Sequence, residues 1–536
     1  MNPMTQNTSP RRRRGIEEEE EDYRPRDPGA GAVMRVIVPL QGVVQGRGGV
    51  VLGSVIPCAL FYLLQLYLRR HRSSSQTRPS QPGSSQPETH PPPSPQRTLS
   101  RSPSRPAFVS SRAAQVVGDS PYYLGWKAYQ DDPYDAVGNP EGVIQMGLAE
   151  NQLSLDLIDD WLKSHPEASS FGGADDMSLS IRGIAGYQEY YGMPDLRTAM
   201  ADFMSDVMKV RFDSSRVILT AGATAAIEML GFCLAEPGNA FLVPSPYYPG
   251  FDRDLNARAG VELVPVPCRS TDNFNVTITA LERAFNQTKK KGVTVRALLI
   301  TNPSNPVGNT LDSNMLTMLL VFAREKNIHL ICDEVYAGSV YGSSEFTSIA
   351  NVLESGEFDK SRVHIIYGAS KDLGLPGLRV GVLYSYSDKI MKAAQKLTRF
   401  CSVSSQTQRL LIALLSDAEF IQKYMSENRR RLGERFNVLS EGLKNAGITC
   451  AKSNGGLFCW VAMPSFMPFF SQKGENILWE NLLKEAKISV TPGSACHCIE
   501  HGWFRVCFAT LSDHDTLVAL QRFQKFCETY KRTSQE

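Results

Sequence analysis

Four short stretches of this chain carry side chains whose types and spacing suit chemistry. Ser370-Lys371 follows the apolar run VHIIY at 363–367, and Arg379 stands eight residues beyond the lysine. A single lysine after an apolar strand is usually a surface residue. Asp333-Glu334-Val335-Tyr336 closes the run HLICD at 329–333. A carboxylate at the end of a buried strand needs a partner, because an unpaired buried charge is very costly. Asn302-Pro303-Ser304-Asn305-Pro306-Val307-Gly308 reads, by itself, as a turn. Arg505 stands alone in the apolar run WFRVCF, where an arginine serves most often in a structural ion pair. Cys496-His497-Cys498 has the look of half a metal site, but zinc needs a second ligand pair at fixed spacing and none is nearby, so no metal is expected.

The elements that must position these residues are short and apolar: RVILT at 216–220, FLVPS at 241–245, VRALLIT at 295–301, HLICD, VHIIY, and RVGVLYS at 379–385. Helical patterns lie between several of them. Over 193–208, Pro194 opens a helix that puts Leu196, Met200, Phe203, Met204 and Val207 on one face. Thr279 and Glu282 read as a capping box opening another helix. Strands that are apolar throughout and spaced by helices predict an α/β fold with a mostly parallel sheet covered on both faces. In such sheets chemistry collects at the carboxyl ends of the strands.

The 536 residues allow two or three domains plus extra segments. A net charge of +2 gives no electrostatic reason to expect a nucleic-acid partner. The eleven cysteines are scattered, and Cys233, Cys332, Cys459 and Cys507 sit in apolar runs, which predicts reduced, buried thiols. The first 110 residues differ in kind from the rest. Residues 1–47 hold the Arg11–Arg14 block and the Glu17–Glu21 run, the composition of a solvated tail. Gly48–Leu68 runs for twenty-one residues without a charge, which predicts a membrane-spanning helix. Arg69, Arg70, Arg72 and Arg78 follow it, against Arg35 and Arg47 before it, so the positive-inside rule leaves the downstream part in the cytosol. Residues 69–110 are rich in Ser, Pro and Gln and read as a linker.

In their order the four stretches resemble the fold-type I aminotransferases, the aspartate aminotransferase superfamily. Longer segments resemble plant 1-aminocyclopropane-1-carboxylate (ACC) synthases and their relatives: DPYDAVGNPEGVIQMGLAENQL (132–153), FLVPSPYYPGFDRDL (241–255), TNPSNPVGN (301–309) and PGSACHCIEHGWFRVCFA (492–509). The likeness runs from about Ser120 to Phe526. It implies pyridoxal 5'-phosphate (PLP) as cofactor and the PLP-dependent transferase fold. That fold would place a large PLP-binding domain at 191–407 and a smaller α/β domain at 408–536, with 111–190 as an N-terminal arm and part of the small domain. It also implies a homodimer with composite active sites.

The resemblance carries roles residue by residue. Lys371 would hold PLP as a Schiff base and carry the proton, and Asp333 would pair with the pyridine nitrogen. Asn305 and Tyr336 would bond the ring's phenolic oxygen, and Tyr248, more than its neighbour Tyr247, would lie against the ring. Ala223, Thr224, Ser370 and Arg379 would take the phosphate, the first two near a helix start at Ala225. Tyr190 would reach the site from the neighbouring subunit, and Arg505 would hold the substrate α-carboxylate. Glu150 matches the glutamate that ACC synthases use for their sulfonium substrate. The family's matching Asn-Pro is cis, so Asn305–Pro306 is expected to be cis.

Departures bear on the reaction. Gly368 stands where the synthases have a phosphate-binding serine and is expected to loosen the cofactor. Gln188-Glu189-Tyr190-Tyr191-Gly192 and DRDLNARAG (252–260) also differ from the family pattern. The altered lysine loop, the apolar N-terminal segment and the short stretch after the matched region resemble a divergent branch acting on aspartate or aromatic amino acids. The expectation is therefore an aminotransferase that passes the amino group of aspartate or an aromatic amino acid to a 2-oxo acid, both small-molecule substrates. ACC synthesis from S-adenosylmethionine, which Glu150 and Tyr190 suit, is the alternative, and a scaffold without activity is a third reading.

Overall fold

The computed structural model describes residues 109–533, apart from 117, 119, 170–179, 343 and 344. The expected tail, the apolar segment Gly48–Leu68 and nearly all of the linker lie outside the described residues. Among the described residues, no helix is long and apolar enough to cross a membrane.

Seven strands build the large sheet: β1 (Val217–Thr220), β2 (Ala240–Ser245), β3 (Glu262–Pro267), β4 (Val295–Thr301), β5 (His329–Asp333), β6 (Val363–Gly368) and β7 (Gly381–Ser385). Their order is β1-β7-β6-β5-β4-β2-β3, with β7 antiparallel to both neighbours and the pairs from β6 to β3 parallel. Successive side chains along the central strands enter two different cores. Leu219, Leu242, Leu298, Leu330, Ile365 and Val382 join one, and Ile218, Phe241, Leu299, Ile331, Ile366 and Leu383 join the other. Burial on both faces explains why these strands read as continuous apolar runs.

The predicted strands are present within a residue or two at each end. Arg379 lies outside its strand, in a left-handed turn at φ 54°. β3 had no sequence signal as a strand. It is an edge strand, largely exposed, and it carries Pro265 and Pro267. Proline is tolerated there because an edge strand needs no second ladder of N–H donors.

Helix α1 (Pro194–Met208) buries the predicted face, and α2 (Ala223–Leu234) follows β1. It starts at Ala223, not Ala225, because Gly222 at φ 89° already supplies the turn. The helix at Ile278–Lys290 is capped by Thr277, whose hydroxyl accepts from Ala280 N at 3.3 Å. Thr279 lies inside the first turn, so the capping box placed there is corrected. Cys233 is half-buried rather than buried.

A four-stranded antiparallel sheet follows, formed by β8 (Thr449–Cys450), β9 (Phe458–Ala462), β10 (Thr491–Pro492) and β11 (Trp503–Cys507) in the order β10-β11-β9-β8. Beside it, Ile144–Gln145 pairs in parallel with Ile488–Ser489, joining the two ends of the matched region. Helices α3 (Ala418–Asn445) and α4 (Asp513–Thr533) pack against each other.

Candidate active site

A cavity of about 240 Å³ opens beyond the carboxyl ends of β5 and β6, beside the first turn of α2. It brings together Lys371, Asp333, Tyr336, Tyr248 and Asn305 with Ala223, Thr224, Ser370 and Arg379. These come from separate loops, because parallel strands deliver their carboxyl ends to one edge.

Lys371 follows β6 by three residues, and its Nζ donates to the Ala149 carbonyl at 2.6 Å. Burial, and then the Arg505 guanidinium, push its pKa down from the usual lysine range to about 8. About a tenth of such an amine is uncharged at pH 7, far more than for an ordinary lysine, and the uncharged form is the one a nucleophile or base requires. Asp333 ends β5 almost fully buried and accepts from Val335 N at 3.3 Å. Burial pushes its carboxyl up to about 7, opposed by that one hydrogen bond and by Lys371. A buried carboxylate with a single backbone donor and no bonded cation fits a protonated pyridine nitrogen. Tyr336, buried edge-on against Phe458 with centroids 5.5 Å apart, also borders the cavity.

At the other end, α2 presents the backbone N–H groups of Ala223 and Thr224, which have no partner within the helix and suit a phosphate, while Ala225 N donates to Gly222 O at 3.1 Å. Arg379 lies beside them, donating through Nη1 to Pro376 O at 3.0 Å and through Nη2 to Ala221 O at 3.3 Å. Its charge has no carboxylate in these bonds. Gly222 sits at φ 89° and ψ 163°, where a side chain strains the backbone, and a Cβ there would push this guanidinium aside. Gly368 is fixed by close approach. A Cβ there would stand 2.7 Å from Val380 O and 3.2 Å from Gly381 Cα on the paired strand β7. A serine could not enter here unless Val380 O and the start of β7 gave way.

Arg505, on β11, is fully buried. Nη1 donates to Asn305 Oδ1 at 2.8 Å and Nη2 to Gly147 O at 2.7 Å, while Nε has no partner among the described residues. The structural ion pair is not what it makes: these two bonds, and a longer one from Nη2 to Thr491 Oγ1 at 3.5 Å, all go to neutral oxygens. A buried guanidinium without an anion fits a ligand carboxylate. The Asn305–Pro306 bond is cis, as expected, and so are Ser245–Pro246 and Asn302–Pro303.

Three expected residues do not line the cavity. Arg505 meets the cavity through Asn305 and Tyr122, which line it. Glu150 is half-buried next to it, close enough for its charge to act on Lys371. Tyr190 is 44% exposed and lines none of it. Two lining residues were missed. Tyr122 approaches Arg505, with the guanidinium 5.7 Å from its ring centroid, but nothing in PYYLGW set it apart from Tyr123. Asp254 lies in the quoted FDRDL, where its spacing did not distinguish it from Asp252. Burial, and then the Asp333 charge, push its carboxyl up to about 7, against a hydrogen bond from Thr224.

Comparison with known proteins places this site in a family. The family described as aminotransferase class I and II matches residues 143–523. Rice (Oryza sativa subsp. japonica) 1-aminocyclopropane-1-carboxylate synthase 6 is 55% identical over 518 residues, covering 94% of this chain and 95% of that protein. "Probable aminotransferase ACS12" of Arabidopsis thaliana is 51% identical, covering 93% and 100%. 1-Aminocyclopropane-1-carboxylate synthase 7 of Arabidopsis thaliana is 50% identical, covering 77% and 93%. A Thermus thermophilus aspartate aminotransferase mutant shares the fold at TM-score 0.63 and 21% identity, covering 78% of this chain and 100% of that one. These relatives overturn the expectation of a general amino-acid aminotransferase, since proteins 50–55% identical to this chain are named ACC synthases. The chain belongs to the class I and II aminotransferase family and is a pyridoxal-phosphate-dependent enzyme.

Proposed function

We propose that this protein is an ACC synthase, converting S-adenosylmethionine to 1-aminocyclopropane-1-carboxylate and methylthioadenosine. The observation that carries the reading is the 55% identity, over nearly the full length of both chains, to the rice protein named for that activity. Arg505 supports it as a buried cation placed for an amino-acid carboxylate, and Glu150 as an anion beside Lys371 for the sulfonium end.

When bound, PLP supplies an electron sink for the negative charge that forms at the substrate α-carbon. Lys371 anchors the cofactor and then, as a free amine, takes the α-proton at Nζ. Asp333 holds the pyridine nitrogen protonated, and Tyr336 and Asn305 hold the phenolic oxygen. Ala223, Thr224, Ser370 and Arg379 hold the phosphate, and Tyr248 covers the ring. Arg505 and Glu150 fix the two charged ends of the substrate. The α-carbon then closes on the γ-carbon as the carbon–sulfur bond breaks toward sulfur. Incubating the purified full chain with S-adenosylmethionine should yield ACC and methylthioadenosine in equal amounts. Formation of a 2-oxo acid from aspartate or phenylalanine with no ACC would refute the reading.

The wider organisation rests on sequence and likeness. The arm at 111–190 and the segment 408–536 form the small domain around the large domain at 191–407. The enzyme is a homodimer, in which exposed Tyr190 completes the partner's site. Gly48–Leu68 anchors it in a membrane, with the catalytic part in the cytosol; the support is an uncharged run of twenty-one residues followed by arginines. Such an anchor resists alkaline carbonate. Full release by carbonate or salt would remove it.

A further inference from the structure

The Cys496-His497-Cys498 motif takes no part in the proposed chemistry. Both cysteines point into the protein, at 0% and 7% exposure, while His497 reaches across to the short helix Phe251–Asn256 that follows β2. Its Nε2 lies 2.6 Å from Asp252 Oδ2, and the other oxygen of the same carboxylate accepts from Tyr247 Oη at 2.9 Å. The imidazole also stacks on the Tyr247 ring, with centroids 4.6 Å apart and planes at 15°. Backbone bonds double the connection. Tyr247 N donates to Cys496 O at 2.9 Å, and Ser245 Oγ donates to His497 O.

The two sides of this contact lead to opposite parts of the site. On one side Tyr247 is joined directly to Tyr248, which lines the cavity. On the other, the Gly493–Cys496 turn leads into β11 and Arg505. That turn is rigid on its far flank, because buried Glu475 accepts from Ser494 N and Gly502 N, each at 2.7 Å. A shift at His497 is therefore passed to β11 rather than absorbed by the loop.

We propose that His497, through Asp252 and Tyr247, is a positioning residue that holds the Arg505 strand in register with the Tyr248 turn, and so sets the span between the carboxylate site and the ring site. The inference rests on the roles given to Arg505 and Tyr248, but not on the identity of the reaction.

The test uses the full-length holoenzyme and L-alanine, which offers an α-amine and an α-carboxylate but no sulfonium. Binding is read from the change in cofactor absorbance, and cofactor content is measured separately. His497→Ala should weaken L-alanine about tenfold while cofactor content stays at the wild-type level. His497→Gln keeps a donor toward Asp252 and should recover most of the loss. Tyr247→Phe removes one hydrogen bond without changing the ring and should weaken binding about threefold. If His497→Ala does not fold, the other two variants decide. Wild-type affinity in His497→Ala, or in Tyr247→Phe, overturns the proposal, as does a His497→Gln that folds and binds no better than His497→Ala. A wild type that binds L-alanine yet makes no ACC would remove the synthase reading and leave this one standing.

Discussion

Replacing Gly222 by alanine should separate cofactor affinity from fold stability at a single backbone position. Two costs follow from its geometry. At φ 89° and ψ 163° the residue occupies a region open essentially to glycine, so alanine destabilises the folded state by about 1–3 kcal/mol. The new Cβ would also stand 2.9 Å from Arg379 Cζ, forcing the guanidinium off the first turn of α2. A displaced arginine loses a hydrogen bond to a charged group, worth about 1.5–3 kcal/mol, or roughly a 10- to 150-fold loss in PLP affinity. The assay is PLP titration of the apoprotein, followed by absorbance, alongside urea unfolding of the apo form. Arg379→Ala serves as the reference, since it should show the affinity loss without the backbone strain. Unchanged PLP affinity in a stably folded Gly222→Ala protein would refute the placement of the phosphate beside Arg379.

Asp333→Asn should retain PLP but lose turnover by about two orders of magnitude or more, since a neutral amide cannot stabilise a pyridinium; near wild-type kcat would break the pairing. The rate at which apoprotein takes up PLP should rise with pH and level off above about 8, because Lys371 reacts as the free amine and its pKa is depressed. A rate still climbing steeply at pH 10 would mean an ordinary lysine. His364 is fully buried between His329 and Ser385, and burial lowers its pKa to about 3. Its folded pKa lies below the unfolded value of about 6.5, so stability is intact above that pH and falls by about 1.4 kcal/mol per pH unit below it, towards 3. Urea midpoints at pH 6 and pH 4 should therefore fall further for wild type than for His364→Gln; equal drops would argue against it.

The sheet was legible because its strands are buried on both faces: Leu298 and Leu299 each enter a core, so the run looks apolar without a break. β3 was illegible for the opposite reason, being an exposed edge with two prolines. The site was legible where chemistry and strand ends coincide, as at Asp333 and Lys371. Asp254 and Tyr122 escaped because only folding separates them from Asp252 and Tyr123, neighbours of the same type. Gly368 was read as a missing hydroxyl, whereas the structure shows backbone 2.7 Å from where a Cβ would stand, at Val380 O, a distance no sequence pattern carries.

The bond from Arg505 to the Gly147 carbonyl spans 358 residues and has a consequence for synthesis. At about 5–20 residues per second, Arg505 is made roughly 18–72 seconds after Gly147. Throughout that interval the nascent chain can complete the large sheet, and with it the lysine and phosphate corner, while the carboxylate clamp does not yet exist. On the proposed assignment, the residues that would hold the cofactor are made and folded before the strand that carries Arg505 exists.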